Sequence, residues 1–188
     1  MNEQISKAVE VLRNGGIILY PTDTIWGIGC DATNAEAVEK IYALKRSMGK
    51  TSMTVLVDSL DNVGRYVKRV PEIAWQLFEV ADKPLTLVLP QGTGVAENLI
   101  PEQGTVGIRI PKCDFCHGVI RRLGRPIVST SANLTGYPTP TTYEQIADEI
   151  LSGVDMVVDP SCESPEATHH ASSIILVGEG GEIKILRD

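Results

Sequence analysis

The sequence predicts an α/β protein with a mixed sheet, and three observations support that class. Short apolar runs of buried-strand type interleave with helical patterns along the chain, as expected when helices pack on a shared sheet. Hydrophobic residues make up 43% and charged residues 22% of the 188 residues, as in ordinary globular proteins. No internal repeat or low-complexity linker divides the chain. Residues 1–188 are therefore expected to form a single domain large enough to bury a core.

The individual elements follow from apolar spacing and from chain-breaking residues. Apolar residues three or four apart indicate helices, and short apolar runs bounded by Gly or Pro indicate buried strands. Asn14-Gly15-Gly16 ends the first helix, and Asn34 caps the second. The expected helical segments are 5–12, 34–45, 59–66, 71–80, 114–123 and 142–151. The expected strands are 17–20, 54–57, 85–89, 106–110, 126–129, 156–158, 173–177 and 183–186.

The long connection between Leu89 and Val106 contains several Gly and Pro residues. Structureless loops of that length are uncommon unless they serve a function. We therefore expect this connection to form the rim of a functional site.

Charge and hydropathy restrict the partners of this protein. The net charge of −7 argues against a strong grip on a nucleic-acid backbone, so direct RNA contact is expected to be weak at most. No apolar run approaches the roughly 20 residues that span a bilayer, and the N-terminus lacks the pattern of a secretory signal. We expect a cytoplasmic protein without membrane association, in which the 4 cysteines are reduced.

A polar run, Pro21-Thr22-Asp23-Thr24, follows the first apolar strand. Small polar side chains at strand ends are where open α/β sheets collect ligands. The alternative is an ordinary turn in which Thr22 and Asp23 bond to their own backbone.

A cationic run, Lys45-Arg46-Ser47-Met48-Gly49-Lys50, ends the second helix. Its ammonium and guanidinium groups are suited to clamping a triphosphate. Alternatively, these cations complement the helix dipole and Gly49 stops the helix.

A hydroxyl-rich run, Ser129 to Gly136, follows another buried-type strand. Neutral hydroxyl and amide groups satisfy phosphate, ribose and base atoms without burying a charge, which indicates a nucleotide site. The alternative is a turn that caps the next helix.

Arg109 lies inside an apolar strand between Ile108 and Ile110. An arginine there either points to solvent or is buried against an anion, for which a ligand carboxylate is one candidate.

Cys113-Asp114-Phe115-Cys116-His117 matches the haem-attachment pattern Cys-x-x-Cys-His. Haem attachment belongs to exported proteins, and Cys162, His169 and His170 are far away in sequence as further metal ligands. The cysteines are interpreted as small core residues, with no metal site.

Together these motifs resemble the YrdC/TsaC family, the threonylcarbamoyl-AMP synthases. The resemblance implies a single-domain, twisted mixed sheet with flanking helices around a deep cavity. It also implies that L-threonine, bicarbonate and ATP, with Mg²⁺, become threonylcarbamoyl-AMP and pyrophosphate, which a partner tRNA threonylcarbamoyl-transferase complex uses. It is carried by the segments 21–24, 26–27, 84–87, 109–111, 129–133 and 172–174.

Matching motifs imply roles for individual residues. Lys45 and Arg46 would neutralise charge in catalysis, and no protein nucleophile is needed. The residues implied in threonine binding are Thr24, Arg109, Ser129 and Ser172, with Arg109 pairing with the carboxylate. The residues implied in ATP binding are Lys45, Thr105, Ser131, Asn133, Thr139 and Arg187.

The chain departs from the family pattern at the cationic run. Lys45 and Arg46 are adjacent where the family usually has Lys-x-Arg, and Ser52-Met53 replaces Pro-Leu. Individual roles for Lys45, Arg46 and Lys50 stay open.

The alternative function is a YciO-like RNA-binding or maturation factor without turnover. Another alternative is carbamoyl transfer to a different acceptor, as in the related domain of hydrogenase-maturation proteins.

Overall fold

The computed structural model describes residues 1–47 and 53–188, so Gly49, Lys50 and Ser52 of the cationic motif lie outside the described residues. The α-helices of the described part are α1 (Asn2–Arg13), α2 (Ala35–Leu44), α3 (Glu72–Val80), α4 (Asp114–Leu123) and α5 (Asp148–Gly153). Its strands are β1 (Ile18–Tyr20), β2 (Gly27–Gly29), β3 (Thr54–Leu56), β4 (Leu85–Leu89), β5 (Val106–Arg109), β6 (Ile127–Ser131), β7 (Met156–Val157), β8 (Ser173–Val177) and β9 (Ile183–Arg187).

All of these strands join one sheet in the order β7-β1-β2-β6-β3-β5-β4-β8-β9. The pairs β1–β7, β3–β5 and β4–β8 are parallel, and the other neighbours are antiparallel. The predicted class, an α/β fold with a mixed sheet, is confirmed. β5 lies near the centre of this order, which explains why every residue of β5 is buried.

The flanking helices pack as their sequences indicate. α1 buries the helically spaced Ile5, Val9 and Leu12, and it packs against α4, where a Cβ on Gly118 would lie 2.5 Å from the Ile5 side chain. The Asn34 side chain accepts a hydrogen bond from the backbone N–H of Ala37, as expected for the cap of α2. Within residues 1–47 and 53–188, no helix has the length and apolar character needed to cross a bilayer.

One predicted element was wrong and one strand was missed. The segment 142–151 is not one helix, because a 3₁₀ turn at Tyr143–Gln145 is followed by extended backbone at Ile146 before α5 begins. Ile146 is buried, so its burial in the core overrides the local helical pattern. The strand β2 was missed, since its Gly-Ile-Gly sequence has low intrinsic strand propensity.

The connection between Leu89 and Val106 is also placed differently from the prediction. Ala96 and Leu99 are buried, and the backbone N–H of Ala96 donates to the carbonyl of Ala32 beside α2. No described residue of this connection lines the cavity presented below. The described contacts of this connection are packing contacts, and its predicted rim role stays a prediction.

Gly29 permits the close approach of β2 to β6, and this generates a stability prediction. A Cβ at Gly29 would lie 2.3 Å from the carbonyl oxygen of Val128 and 2.7 Å from the ring of Tyr20. Gly29→Ala should lower the free energy of unfolding by about 3 kcal/mol, because backbone must move to relieve the clash.

Urea unfolding of the variant checks this, with Gly64→Ala as the matched control, since a Cβ on Gly64 meets nothing within 4 Å. Equal stability of the two variants would contradict the packing explanation.

Candidate functional site

A cavity of about 250 Å³ opens on one face of the central strands. It brings together residues that are far apart in sequence but that were predicted to act on the same substrates. The predicted site residues that line it are Thr24, Arg109, Ser129, Ser131, Thr139, Ser172 and Arg187. Other lining residues are Ile25, Trp26, Gly27, Met53, Thr54, Thr86, Thr130, Ala171 and Ile174.

Arg109 is held at the cavity wall by a buried ion pair. Its Nη2 donates to Oδ1 of Asp23 at 2.8 Å, and both side chains are about 5% exposed (5% and 6%). The other oxygen of Asp23 accepts the backbone N–H of Lys112 at 3.0 Å, just before α4. The anion that pairs with Arg109 is thus a protein carboxylate, a partner that sequence reasoning missed although Asp23 directly precedes the predicted Thr24.

A chain of hydroxyl groups continues from Arg109. Its Nη1 donates to Oγ1 of Thr24 at 2.7 Å, and that oxygen lies 2.8 Å from Oγ1 of Thr22. Because Thr22 Oγ1 donates to the carbonyl of Ile25, the proton between the two hydroxyls belongs to Thr24. The Thr24 hydroxyl therefore keeps one acceptor position for a ligand. Thr22 also accepts the backbone N–H of Thr24, so the turn alternative and the site interpretation both hold.

Arg187 lies on the same face of the sheet as Arg109, in the register Arg109–Thr86–Ile174–Arg187, and its charge is less compensated. Its Nε donates to the carbonyl of Ser172 at 2.8 Å, and the Ser172 hydroxyl lies 2.8 Å from that of Thr86. Within the described ranges no carboxylate forms an ion pair with Arg187. Burial and the neighbouring Arg109 lower the pKa of Arg187, which remains a cation at neutral pH. The cavity consequently favours an anion.

Lys45 supports the cavity from behind and is not part of its lining. Its Nζ donates to the carbonyls of Ser131 and Asn133, at 2.5 and 2.6 Å. Burial lowers the pKa of Lys45 to about 8, whereas the two carbonyls favour the charged form. Lys45 therefore fixes the turn that follows β6 and presents Ser131.

Three other predicted residues lie outside the lining. Arg46 has a positive φ of 53° and pairs on the surface with Glu149 of α5. The Asn133 amide donates to the carbonyls of Leu134 and Tyr137, and Thr105 precedes β5. Their assigned contacts with substrates stay predictions, as does that of Lys45.

Trp26 is a lining residue that sequence reasoning did not assign. It is fully buried, and its ring centroid lies 5.0 Å from that of Tyr143. Its Nε1 has no hydrogen-bond partner among the described residues. The sequence signal available was its position two residues after Thr24 and next to Gly27.

The two cysteines of the haem-like motif lie beneath the Asp23 segment. Both thiols approach the carbonyl of Pro21, Cys113 at 3.9 Å and Cys116 at 3.7 Å, and both are buried. Burial raises the pKa of Cys116 well above its usual value. These thiols therefore serve as packing beneath the site.

Known proteins are similar to this chain in sequence and in fold. A family model for Sua5/YciO/YrdC, described as "Telomere recombination", matches residues 10–188. The curated threonylcarbamoyl-AMP synthase of Idiomarina loihiensis is 32% identical over 149 residues, which cover 78% of this chain and 80% of that protein. The structure of Pyrococcus abyssi Sua5 complexed with L-threonine gives a TM-score of 0.86 at 28% identity, covering 100% of this chain and 54% of the other. Escherichia coli YciO gives 0.83 at 25% identity, covering 100% and 90%.

The relatives differ in length. The chain spans about half the length of several of them, including 46% of the synthases from Pyrococcus abyssi and Bacillus subtilis. The family model nevertheless covers almost all of this chain. The chain belongs to the Sua5/YciO/YrdC family.

Proposed function

We propose that this chain is an L-threonylcarbamoyladenylate synthase, a nucleotidyltransferase that uses L-threonine, bicarbonate and ATP. The observation that carries the proposal is the shared cavity. It is lined both by the predicted threonine residues Thr24, Arg109 and Ser172 and by the predicted nucleotide residues Ser131 and Thr139. The names of the curated relatives support the same activity.

The threonine half of the cavity offers groups for both charged ends of an amino acid. The acceptor position on Thr24 suits the ammonium or amine, and the cationic pair Arg109 and Arg187 suits the carboxylate. Arg109 is already paired with Asp23, so Arg187 supplies the uncompensated charge. Arg187 is thus proposed to serve threonine as well as the nucleotide for which it was predicted.

The reaction takes place between the substrates, so the protein has to position them and needs no nucleophile of its own. The threonine amine attacks bicarbonate carbon with loss of water, giving a carbamate. A carbamate oxygen forms a bond to the α-phosphorus of ATP while the bond to the pyrophosphate oxygen breaks. Both steps require two anions to be bound next to each other. The hydroxyls of Ser129 and Ser131 and the guanidinium groups of Arg109 and Arg187 line the same cavity and are proposed to bind them.

Magnesium fits this cavity as an ion carried by ATP. No Asp or Glu side chain is among the described lining residues, and Asp23 is occupied by Arg109 and Lys112. Mg²⁺ commonly binds through substrate phosphates and water, for which a protein cage is unnecessary. Bound there, the ion would supply charge neutralisation on the triphosphate.

The product implies a downstream partner. Threonylcarbamoyl-AMP is a mixed anhydride and needs an acceptor, which we propose to be tRNA in a separate threonylcarbamoyl-transferase complex. The net charge of −7 favours weak direct contact with RNA. A cytoplasmic location is proposed because the tRNA substrate of such a complex is found there.

Pyrophosphate release by the purified protein tests the function directly. With ATP and magnesium present, release should require both threonine and bicarbonate, since the carbamate must form before the α-phosphorus is attacked. Omitting each substrate in turn is the control. Release that ignores threonine would refute the proposal, and no release at all would favour the YciO-like alternative.

Arg109→Lys tests the threonine half. Lysine can still pair with Asp23, but its single nitrogen cannot also donate to Thr24 in the way that the two terminal guanidinium nitrogens of Arg109 do. The KM for threonine should therefore rise by at least about tenfold. The KM for ATP should change far less.

The matched control is Arg125→Lys, because Arg125 also pairs with a buried aspartate, Asp31, at 2.7 Å but lies outside the cavity lining. Equal effects on both substrates would mean that Arg109 does not belong to the threonine half.

The low pKa of Lys45 predicts a pH effect on ATP. As the pH rises through about 8, Lys45 loses its proton, its bonds to the two carbonyls weaken, and the KM for ATP should rise. Lys45→Met should show a raised KM without an inflection near that pH.

Lys40→Met is the control, because Lys40 lies in α2, which ends just before Lys45, and it also donates to a carbonyl, that of Gly15, but is exposed. Survival of the inflection in Lys45→Met would assign it to another group.

A further inference from the structure

His169 has a backbone conformation that a residue with a side chain rarely adopts. Its φ is +54°, in the left-handed region, although it lies in an irregular segment before β8 where no glycine is present between 164 and 172. Strained backbone of this kind persists only when its surroundings hold it, and it clusters at functional sites. The contacts of His169 therefore need an explanation.

Those contacts join two different parts of the cavity. The backbone N–H of His169 donates to the carbonyl of Thr24 at 2.9 Å, and that of Thr168 donates to the carbonyl of Asp23 at 3.0 Å. On the other side, Nδ1 of His169 lies 3.0 Å from the carbonyl of Thr141. Because a carbonyl only accepts, Nδ1 carries the hydrogen, and Oε1 of Glu163 lies 3.8 Å from the same nitrogen.

The segment 136–142, which we call the rim segment, carries Thr139 into the cavity lining. It lies in irregular backbone, and its residue Tyr137 is 65% exposed. Its far end is held by Thr141, whose N–H and hydroxyl both donate to the Gln145 side chain, next to Tyr143 and its contact with Trp26. The carbonyl of Thr141 is the point where His169 connects this segment to the threonine half.

We propose that His169 is a positioning residue that holds the rim segment, and with it Thr139, against the nucleotide half of the cavity. This inference rests on the proposed function. The imidazole acts through the Thr141 carbonyl and touches no substrate. Its backbone N–H separately ties the same residue to Thr24, so the two halves are held at a fixed spacing.

The adjacent His170 provides a matched control. It is exposed, and its ring makes no hydrogen bond or ion pair with any residue of the described ranges. Replacing either histidine by glycine adds similar backbone freedom to the same segment. Only the change at position 169 removes the contact with Thr141.

Steady-state kinetics of three variants test the proposal. His169→Gly should raise the KM for ATP about fivefold, the usual effect of losing one hydrogen bond. The KM for threonine and kcat should stay within about twofold of the wild type, because the backbone bond to Thr24 is kept. His169→Asn should restore most of the ATP affinity, since its Nδ2 occupies the place of Nδ1 and asparagine tolerates a positive φ. His170→Gly should behave as the wild type.

Thermal unfolding separates positioning from folding. The midpoint of His169→Gly should equal that of the wild type or exceed it, because glycine adopts the observed φ without strain. A raised KM for ATP together with an undiminished midpoint supports positioning. The proposal is overturned if His169→Gly keeps the wild-type KM for ATP, if His170→Gly matches its effect, or if His169→Asn fails to restore affinity.

A readout that needs no turnover keeps this inference distinct from the proposed function. In a Trp75→Phe background, Trp26 is the remaining tryptophan, and it contacts Tyr143 beyond the rim segment. Its emission should change in His169→Gly and return in His169→Asn. Unchanged emission in His169→Gly would overturn the positioning role, whereas a wild-type protein without threonine-dependent turnover would refute the synthase function alone.

Discussion

The buried ion pair between Arg109 and Asp23 is the constraint on which the rest of the site depends. Two charges that are almost fully removed from water are tolerated only when paired and hydrogen-bonded, and removing one partner of such a pair costs about 3–5 kcal/mol. Asp23 meets this condition with both oxygens, one on Arg109 and one on the N–H of Lys112. The pair thereby joins the β1–β2 connection, the end of β5 and the approach to α4.

The same pair decides the electrostatic character of the cavity. Because Asp23 offsets the charge of Arg109, the pair adds no net charge to the cavity, and the charge of Arg187 makes the cavity positive. An acidic protein can thus present a locally positive cavity of small size, which suits compact anions better than a long phosphate backbone. The hydroxyl groups between the two arginines accept and donate hydrogen bonds without adding charge, so they can orient an anion at little desolvation cost.

The fold class, most elements and part of the cavity lining were predicted from the sequence, because those depend on local pattern and on motifs with recognisable chemistry. What it missed depends on tertiary contacts. The strand β2 was not predicted because its Gly-Ile-Gly sequence has low strand propensity. Its glycines instead allow the close approach to Val128. The pairing of Arg46 with Glu149 was not predicted either, because it joins residues that are far apart in the chain. The same holds for the two hydrogen bonds that the Asn133 amide donates to backbone carbonyls, and the substrate contacts assigned to both residues stay predictions.

His169 and His170 show the same limit most sharply. In the sequence they are adjacent residues of the same type, and neither belongs to a motif that indicates a chemical role. In the structure the His170 ring makes no hydrogen bond or ion pair with a described residue, whereas His169 has a left-handed backbone and bridges Thr24 and Thr141. A strained backbone angle persists when the contacts that it allows stabilise the protein by more than the strain costs. Contacts that hold a cavity wall in place can strengthen substrate binding without raising the stability of the fold. Removing such a residue is expected to leave stability intact while weakening the binding of one substrate. The backbone angle of His169 and its contact with Thr141 distinguish it from His170.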